Sequence, residues 1–386
     1  MSAALAAVMP KVIEWRRDIH RNPELGFEEH RTSALVETEL RRAGIKTTRV
    51  ARTGIVGVLE GATPGKTIAL RADMDALPVE ERSGEPFSSQ VSGAMHACGH
   101  DAHTAMLLGA AVSLAAERDG LRGTRKFFFQ PAEEGPGGAK PMIDAGVMRS
   151  PRVDAVAMIH VSPAYSAGVV GLRAGPMTAS CDDFDIEIFG RGGHGAYPHS
   201  GVDTVPVAAE IVGALQRVVS REIDPLAAVV VSIGTVAAGY RRNVTADRAV
   251  LGGTFRCLDE AVRATIPQRI ERIVAGICKA HRASYKFTLE PGYPSVFNDP
   301  ALVDEVERIA RQTPEIPAVV RIAAPTMGAE DFAYFAAEAP GCYARLGVGR
   351  PGATDEPMLH SPDFRLDESA LPVGVALLRA IATHLG

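Results

Sequence analysis

The sequence lacks a dense set of cysteines, a long apolar run and a strong excess of one charge. Its five cysteines among 386 residues are a sparse and odd set, so we do not expect a disulfide framework. No stretch approaches the roughly 18 consecutive apolar residues of a membrane span. The formal net charge is −5, with both signs interspersed. This argues against nucleic-acid binding, because that task needs a concentrated basic face.

The opening residues do not resemble a secretion signal. Residues 3–9 are apolar, but no Lys or Arg precedes them, and we expect Pro10 to end this stretch. Together with the few cysteines, this predicts a cytoplasmic protein. A chain of this length, with 46% hydrophobic residues, can form two or three domains with buried cores.

The first part of the chain alternates strand-like and helix-like runs. A helix is expected at 102–117, with Asp101 as its N-cap. Runs that are apolar throughout suit strands buried on both faces of a sheet that lies between helices. These runs are residues 67–70, 127–129 and 155–159.

The pattern changes near residue 180, where the order becomes strand, helix, strand, strand, helix, strand. This is the order of the ferredoxin-like split motif. The six runs are residues 184–188, 205–219, 228–236, 248–258, 260–281 and 285–289. We therefore predict an α/β fold in which a helix-flanked, mostly parallel sheet forms a discontinuous catalytic domain (1–178 and 293–386). The predicted insert is a ferredoxin-like α+β domain (179–292) that serves as a dimerisation or lid domain.

Polar side chains follow the three apolar runs of the first part. Asp73 comes just after the first run, Glu133 and Glu134 follow the second, and His160 follows the third. Because the carboxyl ends of parallel strands line the ligand crevice, we expect these groups to converge.

A segment with thiol, imidazole and carboxylate groups opens the expected helix. Residues 96–103 read His-Ala-Cys-Gly-His-Asp-Ala-His, and these groups are the usual ligands of borderline divalent ions. The adjacent carboxylates of Glu133 and Glu134 repel each other unless a cation or a proton lies between them. They can divide the work, with Glu134 binding metal and Glu133 acting as general base toward a metal-bound water.

Four long motifs resemble one known family, the cysteine-containing branch of the dinuclear metal aminoacylases and carboxypeptidases. This branch includes hippurate hydrolases and hydrolases of indole-acetyl amino acids. The resemblance extends from about residue 19 to residue 364, nearly the whole chain. Its motifs are Arg-Ala-Asp-Met-Asp-Ala-Leu-Pro at 71–78, Met-His-Ala-Cys-Gly-His-Asp-Ala-His at 95–103, Gln-Pro-Ala-Glu-Glu-Gly at 130–135 and Gly-Ala-Glu-Asp-Phe at 328–332.

The resemblance implies two divalent metal ions per subunit. Cys98 would bridge the two ions, where most relatives outside this branch use an aspartate. A thiolate favours Mn, Zn, Co or Ni over Mg, and the choice among these four stays open. The implied protein ligands are Cys98, His100, Glu134, His160 and His360.

The resemblance also implies how the first domain takes part in catalysis. Glu133 would be the general base and then the acid that protonates the leaving amine. The wider relatives carry His-x-Asp where this chain has Arg71-Ala72-Asp73, so we expect Asp73 to orient a ligand rather than to bind metal. Three other histidines are expected to support the site or the structure without binding metal: His96, His103 and His199.

Three residues of the predicted insert complete the implied site. His194, in a Gly-rich segment after the first strand of the insert, would reach the active site of a partner subunit and stabilise the tetrahedral oxyanion. Asn243 and Arg256 would contact the carboxylate of the substrate, a role that suits a neutral donor and a bidentate clamp. The other cysteines are expected to be small buried apolar residues: Cys181, Cys257, Cys278 and Cys342.

Together with the resemblance, these observations predict a metallo-amidohydrolase that forms homodimers or higher homo-oligomers. It would cleave the amide bond of N-acyl-L-amino acids or short peptides to a carboxylic acid and a free amino acid, with no nucleic acid or membrane as partner. One alternative is a hydrolase that uses Cys98 as a nucleophile, helped by His100. Another is a non-catalytic assembly protein with a structural metal. The presence of Glu133 beside a full set of metal ligands argues against this second alternative. The acyl group and the amino acid stay open.

Overall fold

The computed structural model describes residues 3–350 and 355–385. The chain divides into two units. The first comprises Met1–Met177, Phe297–Ala324 and Asp331–Gly386, and the second comprises Thr178–Val296 and Pro325–Glu330. The division of labour between a catalytic domain and a dimerisation or lid domain stays a prediction. In the part of the chain that the structure describes, no helix combines the length and the apolar character that crossing a membrane requires.

The helices and strands follow one another in three stretches of the chain. The first stretch contains α1 (Ala3–Arg21), α2 (His30–Arg42), β1 (Lys46–Val50), β2 (Gly54–Glu60), β3 (Thr63–Asp73), α3 (His100–Ala116), β4 (Arg122–Gln130), α4 (Ala139–Asp144), β5 (Ala155–Ser166), β6 (Val169–Leu172) and β7 (Gly175–Pro176). The middle stretch contains β8 (Asp182–Phe189), β9 (Gly193–His194), α5 (Thr204–Arg217), β10 (Val229–Ala238), β11 (Val244–Thr245), β12 (Arg248–Cys257), α6 (Glu260–Arg263), α7 (Ile266–Ala280) and β13 (Ser284–Glu290). The last stretch contains β14 (Phe297–Asn298), α8 (Pro300–Gln312), β15 (Ala318–Arg321), α9 (Phe332–Glu338), β16 (Gly341–Gly349) and α10 (Leu371–His384).

An eight-stranded sheet forms the centre of the first unit, in the order β1-β2-β4-β3-β5-β16-β6-β15. Its middle is parallel, because β3 pairs in parallel with β4 and with β5, and β5 pairs in parallel with β16. From Thr67 onward every residue of β3 is buried, as a strand covered on both faces requires. The predicted helix-flanked, mostly parallel sheet is thus confirmed.

Helix α3 lies in the core of this unit, where it packs against α1 and α10. The prediction that Asp101 is the N-cap is wrong, because the N-cap residue is Gly99, whose φ is +82°. The Asp101 carboxylate instead accepts a hydrogen bond from Nε of Arg16 and pairs with Nδ1 of His20, both at 2.8 Å. These two partners hold Asp101 in the first turn of the helix.

Helix α1 continues through Pro10 to Arg21, with Val8 and Val12 buried on either side of the proline, so the apolar stretch before it is the start of a helix. One further helix boundary differs from the prediction. The predicted helical run at 260–281 is two helices, α6 and α7, with Pro267 in the first turn of the second. Proline cannot donate the hydrogen bond that a continuous helix would need, but it suits a first turn.

The second unit contains an antiparallel sheet in the order β10-β12-β8-β13. Helices α5 and α7 pack against each other and against this sheet. The chain order β8-α5-β10-β12-α7-β13 therefore confirms the ferredoxin-like motif. A separate two-stranded ribbon pairs β9 with β11 and sets His194 opposite Val244.

Candidate metal centre

Three neighbouring parallel strands bring the predicted site residues of the first unit to one edge of the sheet. Asp73, at the end of β3, pairs with Gln130, at the end of β4. On the other side of β3, Arg71 pairs with Met158 of β5, which places His160 near the level of Asp73. The loop after β4 carries the two adjacent glutamates to the same edge, as the sequence predicts for parallel strands.

The five predicted ligands fall into two groups of side chains in the first unit. Cys98, His100 and His160 form one group, and Cys98, Glu134 and His360 form the other. Within each group the potential ligand atoms all lie within 4.8 Å of one another. Sγ of Cys98 belongs to both groups.

The hydrogen bonds of His100 and His160 fix which ring nitrogen is free. Nδ1–H of His100 donates to the carbonyl oxygen of Asp75 at 2.9 Å, and Nδ1–H of His160 donates to the carbonyl oxygen of Val161 at 2.8 Å. In the neutral rings, both Nε2 atoms therefore keep a lone pair. Nε2 of His100 is buried without a hydrogen-bond partner, which suits a metal ligand and is otherwise costly.

His103, which lies in the same 96–103 segment as His100, differs from His100 in its hydrogen bonds. Its Nε2 accepts a hydrogen bond from the backbone N–H of Val161 at 2.9 Å, and its Nδ1–H donates to Oδ1 of Asp73 at 2.6 Å. Both ring nitrogens are thus occupied by protein groups. These bonds tie His103 to β5 and to Asp73, and its predicted supporting role stays a prediction.

Asp73 is engaged on both of its oxygens. Oδ2 accepts a hydrogen bond from Nη1 of Arg71 at 2.6 Å and lies 3.7 Å from Nε2 of His100. Burial disfavours its charge, but His100, His103 and Arg71 outweigh burial and hold the pKa of Asp73 well below its usual range. Its role as an orienter of a ligand stays a prediction.

The second group is held by the loop that carries His360. Nε2 of His360 lies 3.1 Å from Oε1 of Glu134, and the His360 side chain is 53% exposed. Its backbone N–H donates to the carbonyl oxygen of Ala97 at 2.8 Å, next to Cys98 in the chain. His360 has a φ of +69°, a conformation that costs energy in a residue other than glycine and often accompanies functional sites.

The Cys98 thiol is surrounded by features that oppose its ionisation. Burial, with the carboxylates of Glu134 and Glu133, raises the pKa of the thiol well above its usual range. A thiolate in this position needs a cation beside it. The donor set therefore fits bound metal ions better than it fits an isolated nucleophile.

Asp75, which sequence reasoning missed, joins the metal ligands to the glutamate loop. Its Oδ1 lies 3.3 Å from Nδ1 of His100, and its Oδ2 accepts a hydrogen bond from the backbone N–H of Glu134 at 3.0 Å. The first motif contains this residue, but a sequence alone does not tell which of its two aspartates contacts the histidine.

Asp331 was also missed, although the fourth motif contains it. Its carboxylate accepts hydrogen bonds from Nη2 of Arg71 at 2.9 Å and from Nε2 of Gln130 at 2.8 and 2.9 Å. It also accepts from the backbone N–H groups of Gly138 and Ala139, both at 3.0 Å. Asp331 therefore fixes the far end of the loop that carries the two glutamates.

In the second unit, His194 and Asn243 meet on the β9–β11 ribbon. The carbonyl oxygen of Asn243 accepts from Gly195 N–H at 2.9 Å, and both His194 and Asn243 are exposed. Ala196 N–H donates to Nδ1 of His194 at 3.0 Å, so the proton of the neutral ring lies on Nε2, ready to be donated. Arg256 is half-buried on β12, where its Nη1 donates to the carbonyl oxygen of Met327 at 3.4 Å.

The remaining histidines and cysteines occupy varied positions. His96 is buried and His199 is exposed. Cys181 is partly exposed, so its predicted burial is wrong, whereas the other three cysteines that we expected to be buried are so. Cys181 directly precedes β8.

The fold and the donor set together are those of a metal-dependent hydrolase. Residues 69–384 match Peptidase family M20/M25/M40, and the chain belongs to this family. The predicted family and metal-dependent hydrolysis of amide bonds are thereby confirmed.

Individual relatives agree with this assignment. Thermostable carboxypeptidase 2 of Saccharolobus solfataricus is 45% identical over 376 residues, which cover 96% of this chain and 94% of the relative. An N-acyl-L-amino acid amidohydrolase of Geobacillus stearothermophilus is 45% identical over 293 residues, 75% of this chain and 79% of the relative. The crystal structure of a dinuclear metal-binding M20 peptidase from Bacillus subtilis matches with a TM-score of 0.85 at 35% identity and covers 98% of both chains.

Proposed function

We propose that the protein is a dinuclear metal amidohydrolase that cleaves N-acyl-L-amino acids or short peptides to a carboxylic acid and a free amino acid. The observation that carries this proposal is that Sγ of Cys98 belongs to two groups of candidate ligands. The similarity to an N-acyl-L-amino acid amidohydrolase and to a dinuclear metal-binding peptidase supports it.

The proposed ligands divide between two ions. Cys98, His100 and His160 would hold one, and Cys98, Glu134 and His360 would hold the other. When bound, such ions polarise the scissile carbonyl and lower the pKa of a water molecule. The proposed ions are Mn, Zn, Co or Ni, because a thiolate ligand favours these over Mg.

Glu133 is the proposed proton carrier. Its side chain is buried beside the ligands, with Oε2 4.0 Å from Nε2 of His100. Its carboxylate takes a proton from the attacking water, whose oxygen forms the new bond to the scissile carbon. The protonated Glu133 then gives this proton to the amide nitrogen as the C–N bond breaks, and it returns to its starting state.

The second unit supplies the proposed contacts for the substrate. Nε2–H of His194, from a partner subunit, stabilises the tetrahedral oxyanion. Arg256 binds the carboxylate of the amino acid product by two hydrogen bonds, and the Asn243 amide adds a neutral donor. This arrangement makes the functional form a homodimer, and we place it in the cytoplasm because the described cysteines are all free.

A screen of substrates against the protein loaded with defined metals tests the proposal. The protein is stripped with a chelator, reloaded separately with Mn, Zn, Co or Ni, and analysed for metal content by mass spectrometry. Release of free amino acid is then measured from acetyl, benzoyl, indole-acetyl and fatty-acyl amino acids and from dipeptides. We expect hydrolysis only in the loaded protein. Two ions bound without hydrolysis of any of these substrates would contradict the proposal.

A further inference from the structure

Glu29 is a fully buried carboxylate next to the loop that carries Glu133. Its side chain lies at the start of α2, and its exposed fraction is 0%. Oε1 accepts hydrogen bonds from the backbone N–H of Ala132 at 2.8 Å and from the backbone N–H of Phe27 at 3.1 Å. Oε2 accepts a hydrogen bond from the hydroxyl of Thr53. These three donors come from separate segments of the chain, and the Glu29 carboxyl group holds the segments together.

The two peptide groups that Glu29 binds belong to residues with unusual backbone conformations. Ala132 has a φ of +53° and Phe27 a φ of +64°. Neither residue is a glycine, so each conformation costs energy and needs support from its surroundings. A single oxygen of Glu29 accepts a hydrogen bond from the backbone N–H of each, and Ala132 directly precedes Glu133 in the chain.

Close packing supports the same contact. A Cβ atom at Gly26 would lie 2.8 Å from the carbonyl oxygen of Gly135 and 2.9 Å from Cβ of Ala132. The segment before α2 therefore lies directly against the loop on which the two adjacent glutamates stand. Only a residue without a side chain allows this approach.

We propose that Glu29 is a positioning residue, whose carboxylate fixes the peptide group of Ala132 and thereby the direction in which Glu133 presents its carboxylate. This inference rests on the proposed role of Glu133 as the proton carrier. Proton transfer requires the base within hydrogen-bond reach of the proton. A misplacement of about 1 Å can reduce the rate by as much as 10²-fold.

Asp75 binds the peptide group on the C-terminal side of Glu133. It accepts a hydrogen bond from the backbone N–H of Glu134 and also contacts the ring of His100. Loss of Asp75 is therefore expected to disturb the metal ligands together with the loop. Glu29 has no hydrogen bond to a proposed ligand among the described residues, so its loss leaves the hydrogen bonds of the proposed ligands in place.

The test compares Glu29→Ala and Glu29→Gln with Glu28→Ala, an exposed neighbour, in the full-length protein. In Glu29→Ala we expect kcat to fall by about 10- to 100-fold with KM within about twofold. Metal content and metal affinity, measured by mass spectrometry and calorimetry, should stay at the wild-type level. The oxygen of Gln still accepts from both N–H groups, so Glu29→Gln should recover most of the rate. Glu28→Ala should behave as wild type.

Hydrogen exchange gives a readout that does not depend on activity. In Glu29→Ala the amide of Ala132, followed by mass spectrometry of fragments covering 130–138, should exchange faster than in wild type and in Glu28→Ala. Wild-type kcat, a rate loss explained by lost metal, or unchanged exchange at Ala132 would each overturn the proposal. If wild type hydrolyses nothing, the proposed function fails, while the exchange measurement still decides whether Glu29 holds the loop.

A second pair of variants decides the matter if Glu29→Ala does not fold. Thr53→Val removes the hydroxyl that donates to Glu29, and Thr53→Ser keeps it. We expect a reduced kcat and faster exchange at Ala132 in Thr53→Val, with both recovered in Thr53→Ser. Equal behaviour of the two variants would overturn the proposal.

Discussion

Sγ of Cys98 lies 3.6 Å from Nε2 of His160. A sulfur at about 2.3 Å and a nitrogen at about 2.05 Å from one tetrahedral ion are themselves about 3.6 Å apart. The two atoms are therefore spaced as ligands of the same ion. This spacing fits a shared ion, and the first prediction tests whether Cys98 is a ligand or a nucleophile.

Cys98→Asp should keep measurable hydrolysis when the protein is supplied with Mn or Zn. A carboxylate can bridge two metal ions but cannot form a thioester. Activity and metal content are measured together, with Cys98→Ala as the control that removes the bridge and should lose metal. A dead Cys98→Asp with both ions bound, together with an acyl-thioester on Cys98 seen in the intact mass of wild type, would favour the thiol mechanism.

Glu133→Gln should retain its metal and lose most of its turnover. General acid–base catalysis contributes roughly 10²- to 10⁴-fold, and the amide of Gln cannot carry the proton. The control is the adjacent Glu134→Gln, which should lose metal as well as activity. Near-normal turnover of metal-loaded Glu133→Gln would refute the assigned role.

His194 and Glu133 should complement each other across a dimer. Glu133→Ala and His194→Ala chains are each expected to be almost inactive. If His194 acts on the partner subunit, a mixed dimer has one site with both lesions and one with neither. Random reassociation makes about half of the dimers mixed, so about a quarter of the wild-type activity should return.

The assay is hydrolysis after subunit exchange, with the mixed dimers counted by native mass spectrometry. The control is each variant carried through the same exchange alone. If mixed dimers form and activity stays at the level of the single variants, His194 acts within its own subunit or not at all. The proposed metal chemistry does not depend on this outcome.

Asp75→Asn should weaken metal binding by about 10- to 100-fold, the usual effect of removing a carboxylate that orients a ligating histidine. Its Oδ1 lies 3.3 Å from Nδ1 of His100. Affinity is measured by competition with a chelator, and Asp144→Asn, on the exposed end of α4, is the matched control. Unchanged affinity would show that the backbone carbonyl alone orients His100.

His20 should make the stability of the protein depend on pH. Burial lowers its pKa, but Asp101 and Glu81 outweigh burial and raise the pKa of His20 from 6.5 to about 9. The resulting stability is fully present below about pH 6.5 and is lost as the pH rises through 9. The loss is on the order of 3 kcal/mol.

The measurement is the free energy of unfolding in urea for wild type and for His20→Gln across this pH range. The difference between the two should fall as the pH rises. His30→Gln exchanges the same side chain at an exposed position of α2 and serves as the control. A difference that stays constant or grows would show that His20 is not held in its charged form.

The sequence was most informative where a local pattern coincides with a local structure. Apolar runs such as 127–129 lie within buried strands because a strand covered on both faces needs apolar side chains throughout. Helix ends were less predictable, as Asp101 shows. This residue has a side chain suited to capping, but its distant partners, Arg16 and His20, hold it inside the helix.

The site itself was predictable as a set of residue types but not as a set of contacts. The clustering of Cys98 with His360, 262 positions away in the chain, follows from the resemblance and not from any local pattern. Residues that act through hydrogen bonds to the backbone were missed, because such bonds depend on tertiary approach. In the sequence, Glu29 looks like an ordinary charged residue beside Glu28, and only its complete burial distinguishes it.

Gly99 stands between the two proposed ligands Cys98 and His100, in a left-handed conformation that a side chain would strain. A Cβ atom there would also lie 2.5 Å from Cγ2 of Val161. Substitutions at positions 98 and 99 are therefore expected to have unequal effects. The thiol can be exchanged for another donor without rebuilding the turn, whereas a side chain at position 99 would push the start of α3 away from β5 and so separate His100 from His160. A search for variants with altered metal preference should vary position 98 and leave its neighbour untouched.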